Sequence, residues 1–501
     1  MKSPPTLPWN FNGQKKWEMS QILNFRQIFK VISRISFIVT VALLLSAGIA
    51  LIYSEDARPF LYTSLITVIT GSILYFLFKE QSNNGSIHRK DAFFSVTLAW
   101  FYISLAGSLP YIISGDIPFF IDAFFESVSG FTTTGSSILT DIEVLPKSIL
   151  FWRSLTHWIG GIGIIVLFIV VMPSLHEGGY HLFTLESSFQ DKIQPRIKSV
   201  GQRLLYIYIF LTATETVLLL AGGMNLFESI CHAFGTIATG GFSPKNTSIG
   251  GYSPFIQYVV MVFMLLSGMN FIIHYYLFKR EFKKAKANEE VKFYLLITLF
   301  IGAVITVVLY TKTGISFEKS FRDSFFQVIS IVTCTGYATA DYLQWPVFGW
   351  LTIFFAMFLG GSTGSTAGGI KMVRHLLFLK NLGRFFKESF HQRAVLPIKL
   401  NGNNLSEETN KTILTYFSTY FIVFIAGTII LGLTGLDGKT AASSAATAMA
   451  GIGPGIGTVG PASNFAHLSD LAKLTMSMLM ILGRLEIYTV LILFTRNFWR
   501  E

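Results

Sequence analysis

The sequence predicts an all-α integral membrane protein: four unequal pseudo-repeats of helix, pore loop and helix around one central pore, preceded by two further N-terminal transmembrane helices. Three observations predict it. Of the 501 residues, 51% are hydrophobic and only 13% charged, too little polar surface to cover a water-soluble globule of this size. Ten apolar stretches each run to about 20 residues or more, the length that carries an α-helix across roughly 30 Å of hydrocarbon. Four shorter segments lie between them, too short to cross, and each is followed by a glycine-bearing turn.

The N-terminal arm, residues 1–30, is polar and basic, with Lys15, Lys16, Arg26 and Lys30. The apolar run behind it is long enough to span and shows no small-residue cleavage pattern, so it reads as a retained first span. Spans begin near Val31, Phe60, Ala92, Ile149, Leu204, Phe255, Phe293, Val347, Thr412 and Leu471. The chain divides into two N-terminal spans over 31–90 and repeats over 91–200, 201–290, 291–400 and 401–501. Lysine and arginine gather in the arm, at Lys79, Arg89 and Lys90, at Lys192, Arg196, Lys198 and Arg203, across residues 279–286 and 374–399, and at Arg496 and Arg500. The positive-inside rule assigns these to the cytoplasm, with both termini. All four short segments then fall on the outer side, where Glu55, Asp56, Asp116, Asp122, Asp141, Glu143 and Asp341 collect. The net charge of +11 is a topology signal from loops near anionic lipid; no aromatic-interleaved basic domain points to nucleic acid. Cys231 and Cys334 sit in apolar segments read as helix, without a CxxC spacing, which argues against zinc and redox chemistry.

The short segments start at Asp122, Glu228, Asp323 and Thr440. Asp122-Ala-Phe-Phe-Glu-Ser-Val-Ser and Asp323-Ser-Phe-Phe-Gln-Val-Ile-Ser nearly repeat each other, and the thirteenth residue after each start is glycine: Gly135, Gly241, Gly336 and Gly453. Irregular backbone at membrane depth is tolerated only where it lines a cavity, so four such turns in one chain imply a shared one. A short helix that stops mid-membrane points its carbonyl end, about half a negative charge, at that cavity, and four of them favour a cation. An acid or threonine at the outer start suits the helix N-terminus by capping and dipole complementarity. The candidate ion-binding residues are Thr133, Thr134 and Gly135; Thr239, Gly240 and Gly241; Cys334, Thr335 and Gly336; and Gly451, Ile452 and Gly453. Their carbonyls can replace an ion's hydration shell. Membrane helices also use glycine for close packing. Four glycines in register favour a filter instead.

These residues resemble the Trk/Ktr/HKT superfamily of potassium transporters, and within it the bacterial Trk-type pore subunits. The likeness runs from about residue 31 to the end. It is carried by Arg153-Ser154-Leu155-Thr156-His157-Trp158-Ile159-Gly160-Gly161-Ile162-Gly163, by the turns at 238–242 and 333–337, by Gly453-Pro454-Gly455, and by the stretch 360–369. The resemblance implies K+ as the transported ion, a selectivity filter with one glycine per repeat, a homodimer with one pore per protomer, a cytoplasmic nucleotide-binding (TrkA-like) regulatory subunit, and a place in the bacterial inner membrane. None of the four turns has the TVGYG sequence of tetrameric potassium channels.

The second helix of the third repeat is interrupted by Gly360, Gly361, Ser362, Thr363, Gly364, Ser365, Thr366, Ala367, Gly368 and Gly369, a run that cannot stay helical at about 1 kcal/mol per glycine. It reads as a mid-pore loop, and the family makes it a gate. A phosphate cradle would need the GxxxxGK[ST] spacing, which is absent. Arg484 lies within the last apolar stretch, where charge costs a few kcal/mol. The family puts an arginine here in the pore; a salt bridge with Glu486 or another buried acid is the structural alternative. His157 reads as an interhelical hydrogen bonder rather than a proton relay, and Arg153 and Glu126 are weaker candidates. The nine histidines form no HExxH, so an enzyme ranks last. A secondary transporter normally shows inverted repeats, whereas these four copies share one orientation. Channel-like potassium uptake is the expected function, and proton- or sodium-coupled symport its rival.

Overall fold

The computed structural model describes residues 23–78, 89–171, 197–391 and 396–499, and only the backbone of 89, 164–171 and 197–200. Most of the N-terminal arm, with Lys15 and Lys16, and also Lys79, Lys192, Arg196, Arg393 and Arg500, lies outside the described residues. So do the side chains of Arg89 and Lys198. Apart from one hairpin of two-residue strands, β1 (Lys399–Leu400) and β2 (Asn403–Asn404), the described regular structure is helical.

The first two helices, α1 (Phe25–Ile52) and α2 (Arg58–Leu77), pack side by side through small and hydroxyl side chains. Ser33 Oγ donates to the Gly71 carbonyl at 2.7 Å and Ser36 Oγ to the Thr67 carbonyl at 2.6 Å. With no hydrophobic drive between helices in lipid, close approach and such bonds hold the pair. Their other faces expose Leu44, Leu45, Leu65 and Ile69, as a lipid-facing surface does.

Four helix, short helix, helix units follow. The first runs through α3 (Arg89–Ser114), α4 (Phe120–Phe131) and α5 (Lys147–Val171). The second has α6 (Ile197–Ala221), α7 (Leu226–Ile237), α8 (Pro254–Ser267) and α9 (Phe271–Phe278). A six-residue helix, α10 (Phe282–Ala287), leads to the third: α11 (Glu289–Thr313), α12 (Phe317–Val332), α13 (Val347–Ala356) and α14 (Met372–Phe390). The fourth has α15 (Glu407–Leu433), α16 (Gly438–Ala450), α17 (Asp470–Arg484) and α18 (Tyr488–Leu491), with α19 (Arg496–Trp499) after it.

The ten predicted spans are not ten straight helices. Among the described residues six are long and apolar enough to cross a membrane, and two more are bent pairs: Pro254–Ser267 with Phe271–Phe278 at 102°, and Asp470–Arg484 with Tyr488–Phe494 at 108°. The first bend follows Gly268, and Asn270 restarts the helix as its N-cap. The second comes where Glu486 and Ile487 turn left-handed (φ 60° and 51°), which no helix tolerates. Of the other two, α13 has only ten residues before the backbone leaves helix at 357–371, and the inner part of α5 is described by backbone alone.

The starts of the short helices also differ from expectation. Asn225, Ser316 and Asp437 are the side-chain caps of α7, α12 and α16, while α4 has none. Asp122 and Glu228 fall in the first turn, favourable to the dipole. Asp323 lies well inside α12, which begins early because Ser316 caps it and Glu318 pairs with Arg322 one turn on at 2.8 Å. Hydrogen bonds from the Thr440 hydroxyl and nearby amides hold the Asp437 carboxyl below its ordinary pKa, so the α16 cap stays charged.

Candidate ion-binding site

The four short helices end alike. The amides of Thr134, Gly240, Thr335 and Ile452 reach back to the carbonyls of Ser129, Gly235, Ser330 and Thr447 at 2.9, 2.8, 2.8 and 3.1 Å. This is the Schellman closure of a helix, and it needs a left-handed residue just before. Thr133, Thr239, Cys334 and Gly451 take that conformation, with φ of 53°, 54°, 57° and 68°. Three of the four are not glycine, and left-handed backbone costs an L-residue roughly 1–2 kcal/mol. Cys334 is thus a turn residue rather than a helical one. Two residues on, Gly135, Gly241, Gly336 and Gly453 turn left-handed again, at 82°, 79°, 81° and 103°.

Those glycines lock the turns into a ring. A methyl group on Gly135 would stand 2.1 Å from the Gly240 carbonyl oxygen, on Gly241 1.9 Å from that of Thr335, and on Gly336 1.8 Å from that of Ile452. On Gly453 it would stand 2.9 Å from the Thr134 oxygen. The sequence one, two, three, four, one closes. Candidate residues from all four turns thus meet at one place, although the spacing alone gives no order around it. Among the described residues no three His, Cys, Asp or Glu gather to hold a metal, so the oxygens on offer at the ring are backbone carbonyls and threonine hydroxyls.

The stretch 357–371 lies against the C-terminal ends of α7 and α16. Thr366 Oγ1 donates to the Ile237 carbonyl at 3.0 Å, and a methyl on Gly368 would meet the Ala450 oxygen at 2.1 Å. The Ser362 amide bonds the Gly268 carbonyl at 2.8 Å and the Phe271 amide the Gly364 carbonyl at 3.0 Å, so the α8–α9 bend and the loop hold each other. Arg484 is buried and donates to the carbonyls of Thr366 and Gly160, both at 2.9 Å. The predicted alternative of a pair with Glu486 does not form, because Glu486 takes Arg374 instead. His157 bonds the Gly130 carbonyl at 2.7 Å, joining α5 to α4. Glu126 and Arg153 are a fully buried ion pair at 2.8 Å.

Glu290 was not singled out by the sequence. Its carboxylate accepts the Thr363 amide and hydroxyl at 2.6 Å and the Val373 amide at 3.1 Å, so one side chain ties the middle of the loop to the start of α14. Lys371 Nζ donates to the Ala367 carbonyl within the loop. Two acids opening a span look like ordinary dipole complementarity, so the sequence held no signal for this role.

A family model described as TrkH, cation transport protein, matches residues 57–500. The chain belongs to this family. Over 487 residues it is 36% identical to the Trk system potassium uptake protein TrkH of Salmonella typhimurium, covering 96% of this chain and all of that one. It is 34% identical over 460 residues to the Trk system potassium uptake protein TrkG of Escherichia coli, covering 90% of this chain and 94% of that one. The crystal structure of the potassium transporter TrkH from Vibrio parahaemolyticus superposes with a TM-score of 0.87 at 34% identity, covering 95% of this chain and 100% of that chain. These relatives are named as transport proteins rather than enzymes. With its apolar helices, this TrkH-family chain is a multi-pass, all-α membrane protein.

Proposed function

We propose that this protein takes up K+ across the cell membrane through a channel-like pore with four pseudo-repeats around one axis. The observation that carries the reading is the closed ring of turns, each fixed by a glycine against its neighbour's carbonyl. Four helix C-termini converge there, which favours a cation, and carbonyls held at fixed spacing can stand in for its hydration shell. The twelve residues from Thr133 to Gly453 named above form the selectivity filter, and the names of the relatives support potassium as the ion.

Residues 360–369, with Arg484, are the gate. The loop touches the inner ends of α7 and α16, and a positive charge in a poorly screened setting repels a cation passing beside it. Repeats over 91–200, 201–290, 291–400 and 401–501 follow two N-terminal spans and the arm over 1–30. Both termini lie in the cytoplasm of a bacterium, and the chain sits in its inner membrane. A homodimer and a cytoplasmic nucleotide-binding (TrkA-like) subunit complete the system. The exposed apolar side chains of Phe378, Leu382, Phe385 and Phe390 on α14, beside its lysines and arginines, suit such contacts as well as lipid.

The test is uptake of tracer rubidium into liposomes holding the purified protein, with potassium inside and no sodium or proton gradient, with and without the regulatory subunit of the same source. Uptake that persists without a co-ion, competes with potassium more than sodium, and responds to the subunit supports the proposal. Strict dependence on a sodium or proton gradient makes the chain a symporter, and indifference to the subunit removes the partner.

A further inference from the structure

Behind the ring runs a second closed circuit, made of side chains. Counted four residues on from Asp122, Glu228 and Asp323 are Glu126, His232 and Gln327; in the fourth unit the equivalent bond comes from Ser443, three residues after Thr440. All four side chains are fully buried, where an unbonded polar group is costly. Each reaches the segment that leaves its own turn. Glu126 accepts the Ser137 hydroxyl and the Ile138 amide, both at 3.0 Å. His232 Nδ1 faces the Glu228 carbonyl at 2.8 Å and must donate to it, so Nε2 accepts from the Ser243 hydroxyl at 3.0 Å. Gln327 Nε2 donates to the Ala340 carbonyl at 3.3 Å, and Ser443 Oγ lies 2.8 and 2.9 Å from the Ile456 amide and carbonyl.

Other side chains join each exit segment to the next. Arg153, paired with Glu126, donates to Ser137 Oγ at 3.2 Å and to the Ser243 carbonyl at 3.4 Å, with its guanidinium 4.1 Å from the centre of the Phe242 ring. Tyr337 of the third unit donates to the carbonyls of His232 and Phe242 at 3.0 and 3.3 Å. Tyr342 donates to Gly455 of the fourth at 2.6 Å, and Ser136 of the first to Gly453 at 3.0 Å. The links run one to two, two to three, three to four, and four to one.

We infer that this buried belt, with the Arg153–Glu126 pair, Tyr337 and Tyr342 as its main ties, sets the spacing of the carbonyl ring and thereby determines which monovalent cation passes. The inference rests on the filter reading proposed above. These are positioning residues. They lie one layer behind the turns and act by stopping the carbonyls from parting or tilting out of the spacing that suits one ion. Backbone contact between glycine and carbonyl prevents the turns from approaching further, but it does not stop them from parting or tilting. The belt does.

Tyr337→Phe, Tyr342→Phe and Ser243→Ala each remove one hydroxyl while leaving volume almost unchanged, so they test the belt without emptying the core. Potassium, rubidium, sodium and lithium are competed against tracer rubidium uptake in liposomes, next to maximal potassium uptake and thermal stability. A buried hydrogen bond of about 1 kcal/mol predicts an about five-fold loss of potassium-over-sodium discrimination per variant, with maximal uptake within about two-fold of the parent. The double tyrosine variant loses more than either single one, and Arg153→Lys, which keeps the charge but not the fork, loses at least as much as a single tyrosine variant. If all variants reconstitute normally with unchanged discrimination while Gly241→Ser alters it, the belt is packing only and the inference is overturned. If Gly241→Ser also leaves discrimination unchanged, the filter assignment itself fails.

Discussion

The ring of turns and the loop against it are both glycine-rich interruptions at membrane depth, yet the contacts that bear most on each are of different kinds. In the ring, backbone meets backbone: Gly336 lies so close to the Ile452 carbonyl that no side chain fits between. The loop has backbone contacts too, with Gly268, Phe271 and Ala450, but side chains from three helix starts or ends, Glu290, Lys371 and Arg484, and its own Thr366 add to its support. Steric contact sets a closest approach that the backbone cannot pass. Hydrogen bonds from separate elements can be given up one at a time as those elements move. The proposed filter and the proposed gate call for these two kinds of support, and the same residue type, glycine, serves both.

The comparison predicts opposite signs for substitution in the two regions. Gly336→Ser should have the largest effect, because it adds a clash to a left-handed backbone at roughly 1–3 kcal/mol of strain each: tracer uptake is expected to fall about a hundred-fold in folded, reconstituted protein. Gly453→Ser, whose new methylene has 2.9 Å rather than 1.8 Å, should lose less, and equal losses at the two positions would show that the clash is not what matters. Arg484→Ala comes next with a rise in flux of about ten-fold, since it removes a like charge and two bonds to the carbonyls of Thr366 and Gly160; Arg484→Lys should keep more of the barrier. A fall in flux from an intact Arg484→Ala protein would mean the arginine supports the path rather than closing it. Glu290→Gln is the mildest: it keeps the shape of the clamp but weakens its charge-assisted bonds to Thr363 and Val373, for an about five-fold rise in basal flux and weaker control by the regulatory subunit. Hydrogen exchange confined to residues 360–373 would report the loosening directly, and unchanged exchange there would break the clamp.

Much of the ring was legible because it is written in short-range features. Helix length follows from apolar run length, and the thirteen-residue interval to each glycine needs only counting. The left-handed Thr133, Thr239 and Cys334 were not legible: nothing in threonine or cysteine announces a conformation that the residue itself disfavours, and tertiary contacts impose it. The same holds for partners. Arg484 stood out as a buried charge, but its carbonyl acceptors come from Gly160 and Thr366, 324 and 118 positions away, and hydropathy carries no information on pairs. The bends after Ser267 and Arg484 were read as continuous spans because the apolar composition continues through them; only backbone dihedrals reveal the break.

The closed order of the ring also bears on how the protein is made. Its seam joins Ser136 to Gly453, Asp122 to Lys473 and Gly160 to Arg484, contacts between residues 317, 351 and 324 positions apart. At about 5–20 residues per second of synthesis, the first unit waits on the order of tens of seconds in the bilayer before its last neighbour emerges. Throughout that wait the inner end of α4 has bare carbonyls and no fourth wall, a state that hydrocarbon penalises and that lipid headgroups, water or the insertion machinery must shelter. A chain cut short before residue 453 keeps three turns and an open seam. The fourth unit, with its small Ala and Ser side chains on α16, is the keystone that slides in last.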